Sequence, residues 1–215
     1  MSSVSRRRYD SSGRQAASAR NQAAVVASAG RLMLEQGYAA TTVGDVADDA
    51  GVSSAFVYSA FGTKAGLLRR VIDAAIAGDD EPRSVGEREE AQAVREARSA
   101  RRRCELTAAL VVGIQARTAP YVPLVQQAAG SDAEIAQSLA TQDLGRRQGM
   151  LELVGILAAD DQLREGLSND EAADVAWVLT DPAAYNRLVE QRGWTRDAFT
   201  AWLAHALYDN LCRKR

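Results

Sequence analysis

The chain has 215 residues, of which 47% are hydrophobic and 25% charged, and its formal net charge is −2. This balance is typical of a globular protein that can bury a core without disulfide or metal cross-links. The slightly negative net charge alone does not suggest a nucleic-acid partner. The two cysteines lie far apart, outside any metal-ligand spacing, and the longest apolar run is far short of a membrane span. We therefore expect a cytoplasmic protein with reduced thiols, no metal, no cofactor and no membrane partner.

Positive charge is concentrated at the N-terminus. Residues 1–34 carry six arginines against one aspartate, whereas residues 104–215 carry ten basic and fifteen acidic residues. Residues 1–13 are predicted to form a disordered basic arm, although their composition is also faintly like an organelle transit peptide. The arm would bring Arg6, Arg7 and Arg8 to a phosphate backbone.

Four helices are predicted in an N-terminal domain of residues 14–77. Apolar residues three and four apart indicate a first helix over 14–36, and Gly37 fits its left-handed C-terminal position. A short helix follows Thr42, which forms a capping-box-like pair with Asp45. Ser53 is expected to cap a helix over 54–61, and Thr63 one over 64–77.

The charged stretch "GDDEPRSVGEREE" predicts a boundary before a larger helical domain over 86–215. Further helices are predicted over 87–101, 103–117, 132–159, 169–180 and 195–212, with another beginning at Pro182 after Asp181. Capping boxes are expected at Ser131 with Glu134 and at Ser168 with Glu171. Strand-like alternation is scarce, so the fold class is all-α.

The stretch "AGVSSAFVYSAFGTK" predicts the second half of a helix-turn-helix. On a helical wheel Val57 and Phe61 share one side, while Ala55, Phe56 and Ser59 fall on the other. A small, neutral outer face allows close approach to base edges in a major groove. Phosphate contacts could come from Thr42, Tyr58, Lys64 and the basic arm. The alternative is a plain helical hairpin in a core, and Asp45, Asp48 and Asp49 argue mildly against DNA.

The run "TTVGDVADDAGVSSAFVYSAFGTKAGLL" resembles the N-terminal signature of the TetR family of transcriptional regulators. The matching positions are Thr41, Thr42, Ala50, Gly51, Val52, Ser53, Tyr58, Phe61, Lys64 and Leu67. The resemblance implies phosphate-contacting or positioning roles for Thr42, Ser53, Tyr58 and Lys64, and places Ser54, Ala55 and Ser59 toward bases. Gly44, Phe56 and Ala60 depart from the usual pattern, and we expect Phe56 to contact a thymine methyl.

The last helix carries two apolar stripes, and a helix packed on one side needs only one. The bulky stripe includes Phe199 and Leu203; the smaller stripe comprises Ala198, Ala201, His205, Tyr208 and Cys212. We expect the small stripe, together with Val175 in the apolar run "VAWVL", to form a homodimer interface, which the family resemblance also implies. The alternative places both helices centrally in one domain. His205 is expected to be an interface histidine rather than a pH switch.

A small-molecule effector is expected between the helices of the C-terminal domain. The candidate ligand residues are Leu110, Ile114, Arg117, Tyr121 and Trp177. The function that follows is that of a ligand-responsive regulator, most often a repressor in this family, that binds a palindromic DNA operator as a dimer. An enzyme lacks support because no nucleophile–base pair, paired-carboxylate motif or phosphate loop is present. A helical scaffold or lipid-binding protein remains the alternative.

Overall fold

The computed structural model describes residues 12–78 and 84–213, and within them the chain is helical without a named strand. The helices are α1 Ser12–Gln36, α2 Val43–Ala50, α3 Ser54–Phe61, α4 Lys64–Ala77, α5 Glu89–Glu96, α6 Ala100–Thr118, α7 Val122–Ala129, α8 Ala133–Ala159, α9 Asn169–Leu179, α10 Pro182–Tyr185 and α11 Arg196–Leu211. Short 3₁₀ turns lie at Val85–Glu87 and Ala119–Tyr121, and a π-helical turn at Asn186–Gln191 continues α10. The predicted all-α fold class is confirmed.

The chain divides into two compact units, the first ending at Val71 and the second beginning at Ile72. The division falls inside α4, earlier than the predicted end of the first domain. The core of the first unit is built from one face each of α1 to α4, with Met33, Val46, Val57 and Leu67 at most 1% exposed. Burying one side of each short helix leaves the opposite sides to solvent, as the amphipathic spacing requires.

The second unit is centred on α6 and α11, which pack against each other and against α8 and α9. The bulky stripe of α11 is fully buried, as the exposure of Phe199, Leu203, Leu207 and Leu211 is 0%. A buried cation also lies here: Arg103 is 2% exposed, and it donates to the carbonyls of Val94 and Ala97 and to the side chains of Gln162 and Asp160. This guanidinium joins the α5–α6 corner to the loop after α8.

Local signals predict most helix ends correctly, but α7 has no predicted counterpart and two further predictions are wrong. The predicted helix over 87–101 stops at Glu96, and Ser99 caps α6 by accepting from the backbone N–H of Arg102. The predicted capping box of Ser131 with Glu134 is absent, because Asp132 caps α8 instead. The boxes at Thr42 and Ser168, and the cap by Asp181, are confirmed.

One helical stretch among the described residues, Ala100–Ala129, is long and apolar enough to cross a membrane by length and composition alone. The core helices of globular proteins satisfy the same criterion. Cys104, Ala108 and Val112 of this stretch are at most 1% exposed and face the core formed with α11.

Candidate nucleic-acid interface

Helix α3 presents a small, uncharged face to solvent. Ser54, Ala55 and Ser59 are exposed, whereas Val57 on the opposite side is 1% exposed and anchors the helix to the core. Tyr58 is 55% exposed at the margin of this face. The burial of Val57 and the exposure of Ala55 and Ser59 agree with the predicted division of α3, whereas Phe56 and Phe61, predicted on opposite sides, are both half-buried. Because Ser54, Ala55 and Ser59 are small and uncharged, this face can approach base edges closely in a major groove.

Phe56 lies between these two environments. Its side chain is half-buried, and its backbone N–H donates to Ser53 Oγ at 3.2 Å, which caps α3. The Ser53 hydroxyl accepts this bond, which leaves its own hydrogen available as a donor. The roles predicted for both residues toward DNA remain predictions.

Thr42 is more tightly engaged than Ser53. Its hydroxyl donates to Asp45 Oδ2 at 2.7 Å, its backbone N–H donates to the same oxygen at 2.9 Å, and the Asp45 N–H donates back at 3.1 Å. These bonds, the one from the hydroxyl first, lower the pKa of Asp45. The negative charge of Asp45 thus serves the start of α2. A phosphate would have to draw the Thr42 hydroxyl away from Asp45, or take the free N–H groups of the first turn.

The turn between α2 and α3 is fixed from both sides. Gly51 adopts a left-handed conformation with φ 68°, and its N–H donates to the carbonyls of Ala47 and Asp48. Asp49 reaches back to α1, where it pairs with Arg31 at 2.5 Å. A hydrogen bond from Ser28, followed by the bond from Arg31, lowers the pKa of Asp49. The negative charge of Asp49 is therefore compensated within the first unit, which would reduce its repulsion of a nearby phosphate backbone.

Of the two roles that the resemblance implies for Lys64, phosphate contact or positioning, the geometry agrees with positioning. Its ammonium donates to the carbonyls of Tyr38 at 2.8 Å and Thr41 at 3.0 Å, lies 3.5 Å from the Ala39 carbonyl, and sits 4.3 Å from the centre of the Tyr38 ring. An ammonium has three hydrogens, and these acceptors account for them. Lys64 therefore ties the turn after α1 to the start of α4. The prediction that it contacts phosphate directly conflicts with this geometry.

Arg6, Arg7 and Arg8 lie outside the described residues, so their predicted contact with phosphate stays a prediction. The remaining DNA-facing candidates, from Thr42 to Ser59, come together on the α2–α3 corner of one unit. Sequence reasoning missed Ser28 and Arg31 as the groups that compensate Asp49. Arg31 also pairs with Glu35 within α1 at 3.2 Å.

The small stripe of α11 is open to solvent over most of its length. Ala198, Ala201 and His205 are exposed, and Tyr208 is half-buried beneath the guanidinium of Arg101, 4.8 Å from the ring centre. Cys212 is 1% exposed and faces Cys104 within its own chain, so placing it on the dimer stripe was wrong. The helix ends at Leu211, and Cys212 turns inward in extended backbone.

Helix α9 adds an exposed apolar residue that the sequence reasoning overlooked. Val175 is half-buried, whereas Val178 is 61% exposed on the same helix. The run "VAWVL" is apolar on every side and gave no means of choosing between them. Val178 and the exposed alanines of α11 are candidates for one interface.

Of the predicted effector residues, Trp177 belongs to a polar cluster that side chains of α6, α8 and α9 form. Trp177 is half-buried; its Nε1 donates to Asp143 at 3.1 Å and its ring lies 5.1 Å from the guanidinium of Arg146. Gln115, 4% exposed, donates through Nε2 to the Thr180 carbonyl at 2.9 Å, and its Oε1 has no hydrogen-bond partner. Leu110, Ile114 and Tyr121 are half-buried, and burial raises the pKa of Tyr121.

Arg117 does not join this cluster. It is exposed, and its guanidinium donates to the carbonyls of Ala75 at 2.9 Å and Ile76 at 2.8 Å, so it caps the C-terminal end of α4. The prediction of Arg117 as a ligand anchor conflicts with this engagement. No group of three or more potential metal ligands occurs among the residues that the structure describes.

Fold and surface together define a helix-turn-helix DNA-binding protein with a second helical unit. Residues 25–71 match the family model of bacterial regulatory proteins of the tetR family. No curated protein matches the sequence significantly. Among solved structures, NalD of Pseudomonas aeruginosa, the secondary repressor of the MexAB-OprM multidrug efflux pump, is similar at 19% identity and a TM-score of 0.66, covering 91% of this chain and 98% of NalD.

Two further structures contain small molecules. The regulator FadR of Bacillus subtilis in complex with stearoyl-CoA aligns at 16% identity and a TM-score of 0.68, covering 86% of this chain and 97% of FadR. A transcriptional regulator of Saccharomonospora viridis in complex with choline aligns at 18% identity and a TM-score of 0.65, covering 90% and 98%. The N-terminal domain is thus a TetR-family DNA-binding domain, and the chain has the fold of TetR-family transcriptional regulators, which are not enzymes.

Proposed function

We propose that this chain is a cytoplasmic, ligand-responsive repressor that binds an inverted-repeat operator as a homodimer. The observation that carries the proposal is the exposed, uncharged face of α3, bounded by hydroxyl groups and helix N-termini that suit phosphate oxygens. A surface of this kind reads base edges through hydroxyl and methyl contacts, and each good contact discriminates by about 1–3 kcal/mol. Ser54, Ala55 and Ser59 are the base-facing candidates, with Phe56 reaching a thymine methyl.

Dimerisation is supported by the exposed small residues of α11 and by Val178 of α9. Small side chains on one face let a second helix approach closely, and a two-fold interface places the same surface on both subunits. The proposed interface comprises Val175, Val178, Ala198, Ala201, His205 and Tyr208. Two subunits would then present two α3 helices to two half-sites.

Effector binding is supported by half-buried apolar residues of the second unit and, separately, by the buried Oε1 of Gln115, which has no hydrogen-bond partner. Leu110, Ile114, Tyr121 and Trp177 are the proposed apolar contacts. An effector shifts operator binding only by its differential affinity for two conformations, typically about 1–3 kcal/mol of coupling. The repressor and small-molecule complexes among the similar structures agree with this role without identifying the effector.

The test is selection of bound sequences from random DNA by the full chain, followed by affinity measurements on the selected site. We expect an inverted repeat bound by a dimer, with affinity that falls steeply with salt. Ala55→Glu should reduce affinity at least about 100-fold, because it places an uncompensated carboxylate against the duplex. The matched control is Gln137→Glu, an equal change of charge at an exposed position of α8.

Ala201→Glu tests the interface separately, since it should yield a monomer that has lost operator binding while its helical content is unchanged. Selection should then be repeated with choline and with stearoyl-CoA as named probes. A helical scaffold or lipid-binding protein would enrich no sequence, and the basic arm alone would bind all DNA equally. Either result would refute the proposed function.

A further inference from the structure

The two cysteines, 108 positions apart in the sequence, meet inside the second unit. Cys104 lies in the first turns of α6 and Cys212 follows the last residue of α11, and their sulfur atoms are 3.7 Å apart. The exposure of Cys104 is 0% and that of Cys212 is 1%. Both are free thiols. The sulfurs of a disulfide are about 2.05 Å apart, so a further approach of roughly 1.6 Å would join them.

We propose that Cys104 and Cys212 form a reversible intrachain disulfide when the chain meets a peroxide, which makes the pair a redox-sensitive modification site. The disulfide itself is inferred from the geometry of the pair, whereas its effect on operator affinity rests on the proposed function. Neither cysteine belongs to the proposed DNA-binding surface or to the proposed effector residues.

The two thiols are chemically unequal. The hydrogen bond from Cys104, together with the positive charge of the neighbouring Arg103, lowers the pKa of Cys212. The same thiol–thiol hydrogen bond and burial raise the pKa of Cys104. Cys212 is therefore the group that ionises first, and the thiolate is the nucleophile in oxidation. Arg103 keeps its place beside the pair through its bonds to Gln162 and Asp160.

The reaction balances with one peroxide. The Cys212 thiolate attacks a peroxide oxygen, the O–O bond breaks, and the hydroxide released takes a proton to give a sulfenic acid and one water. Cys104 sulfur then attacks the Cys212 sulfur; its proton leaves with the departing hydroxide as a second water. Two thiols and one peroxide become one disulfide and two waters, and a thiol reductant reverses the oxidation.

Access to the buried pair can come from the segment that follows α11. Cys212 forms an isolated β-bridge with Leu163, and the neighbouring backbone bonds join Arg164 N–H to the Leu211 carbonyl and Arg213 N–H to the Gln162 carbonyl. Opening these bonds, together with the exposed ion pairs of Arg213 with Asp161 and Glu165, would expose Cys212 without unfolding α6 or the core of α11. Local openings of this kind cost less free energy than global unfolding.

A disulfide here would fix the start of α6 to the end of α11. The far end of α6 holds the last turn of α4 through Arg117, and α4 continues into the DNA-binding unit. A covalent bond that fixes the start of α6 to the end of α11 therefore has a route to operator affinity. We expect oxidised and reduced protein to differ in operator affinity by at least about fivefold.

The experiment treats the reduced full chain with a small molar excess of hydrogen peroxide and follows intact mass. The expected product has lost about 2 Da, the mass of two hydrogens, yields a peptide linking Cys104 to Cys212, and returns to its starting mass with dithiothreitol. Because the bond closes a long loop in the unfolded chain, the thermal midpoint should rise by at least about 5 °C.

Three results would overturn the assignment. They are oxygen adducts without a linked peptide, a covalent dimer through Cys212, or thiols that stay unreactive in the native chain but react once denatured. The last result would make the pair a passive part of the core. Operator affinity is compared in the Cys104→Ala/Cys212→Ala variant, which should not respond to peroxide. A disulfide that forms but leaves affinity unchanged would refute the regulatory part alone.

Discussion

Substituting Lys64 tests whether this residue has a structural role or contacts DNA. In this structure its ammonium is occupied by the carbonyls of Tyr38 and Thr41 and by the Tyr38 ring. Lys64→Met keeps the length and apolar stem of the side chain and removes the charge and the donors. The variant should therefore lose stability in the first unit without losing a phosphate contact.

The expected magnitude follows from the contacts. Hydrogen bonds to charged groups contribute about 1.5–3 kcal/mol when buried, and we take less because Lys64 is half-buried. The cation–π contact adds about 0.5–1 kcal/mol, and water can rehydrate part of the freed carbonyls. We therefore expect the free energy of unfolding to fall by about 2 kcal/mol, which corresponds to a fall of about 4–8 °C in thermal midpoint for a chain of this size.

The assay measures both thermal unfolding and the salt dependence of affinity for the selected operator. A lost phosphate contact would lower the slope of log K against log salt by about 0.9 for each half-site, whereas a structural lysine leaves the slope unchanged. Arg69→Met, at an exposed position on the same helix, is the matched control for loss of charge. A shallower slope with no loss of stability in Lys64→Met would refute the reasoning.

Three further predictions concern stability: the buried arginine of the second unit, a close backbone approach in α4, and the cap of α2. Arg103→Met should cost about 3 kcal/mol in urea unfolding because buried carbonyls lose their donor, while Arg102→Met, which breaks only an exposed pair, should cost under about 0.5. Gly66→Ala should destabilise the first unit because its Cβ would lie 2.3 Å from the Phe61 carbonyl oxygen, whereas Gly44→Ala should be tolerated, with a nearest contact of 3.5 Å. Because folding lowers the pKa of Asp45, the ionised carboxylate stabilises the folded chain at every pH above the ordinary aspartate pKa. That stabilisation is lost as the pH falls through the pKa that Asp45 has in the folded chain. Thermal midpoints should therefore fall less between about pH 5 and pH 3 in Asp45→Asn than in the unchanged chain, and equal slopes would contradict this.

Much of the first unit could be predicted because its signals are local. Thr42 with Asp45, Gly51 and Ser53 each act within three or four residues, and together they fix the ends of α2 and α3. The period of α3 then determines which side chains face outward. The predicted α3 and α4 have the bounds that the structure shows.

The contacts of Lys64 and Arg117 could not be predicted in this way, since each side chain meets partners distant in sequence. Lys64 meets carbonyls 23 to 26 residues away, and Arg117 meets carbonyls about 40 residues away. Long cationic side chains reach the nearest group of exposed carbonyls, and no periodicity in the sequence says where that group lies. Cys212 was assigned by extending the period of α11 past its last residue, where the chain leaves the helix.

The backbone contacts of Lys64 and Arg117 have a common consequence for α4. Lys64 holds its first turn to the loop after α1, and Arg117 donates to carbonyls of its last turn. A helix has free donors at its start and free acceptors at its end, so a cation that reaches its last carbonyls is favoured by both hydrogen bonding and the helix dipole. The side chain that caps the end of α4 comes from α6, the helix that also carries Cys104 and Gln115. Any event that moves α6, whether a ligand at Gln115 or a bond at Cys104, therefore acts on the same two carbonyls of α4, and Arg117→Ala should weaken both responses together.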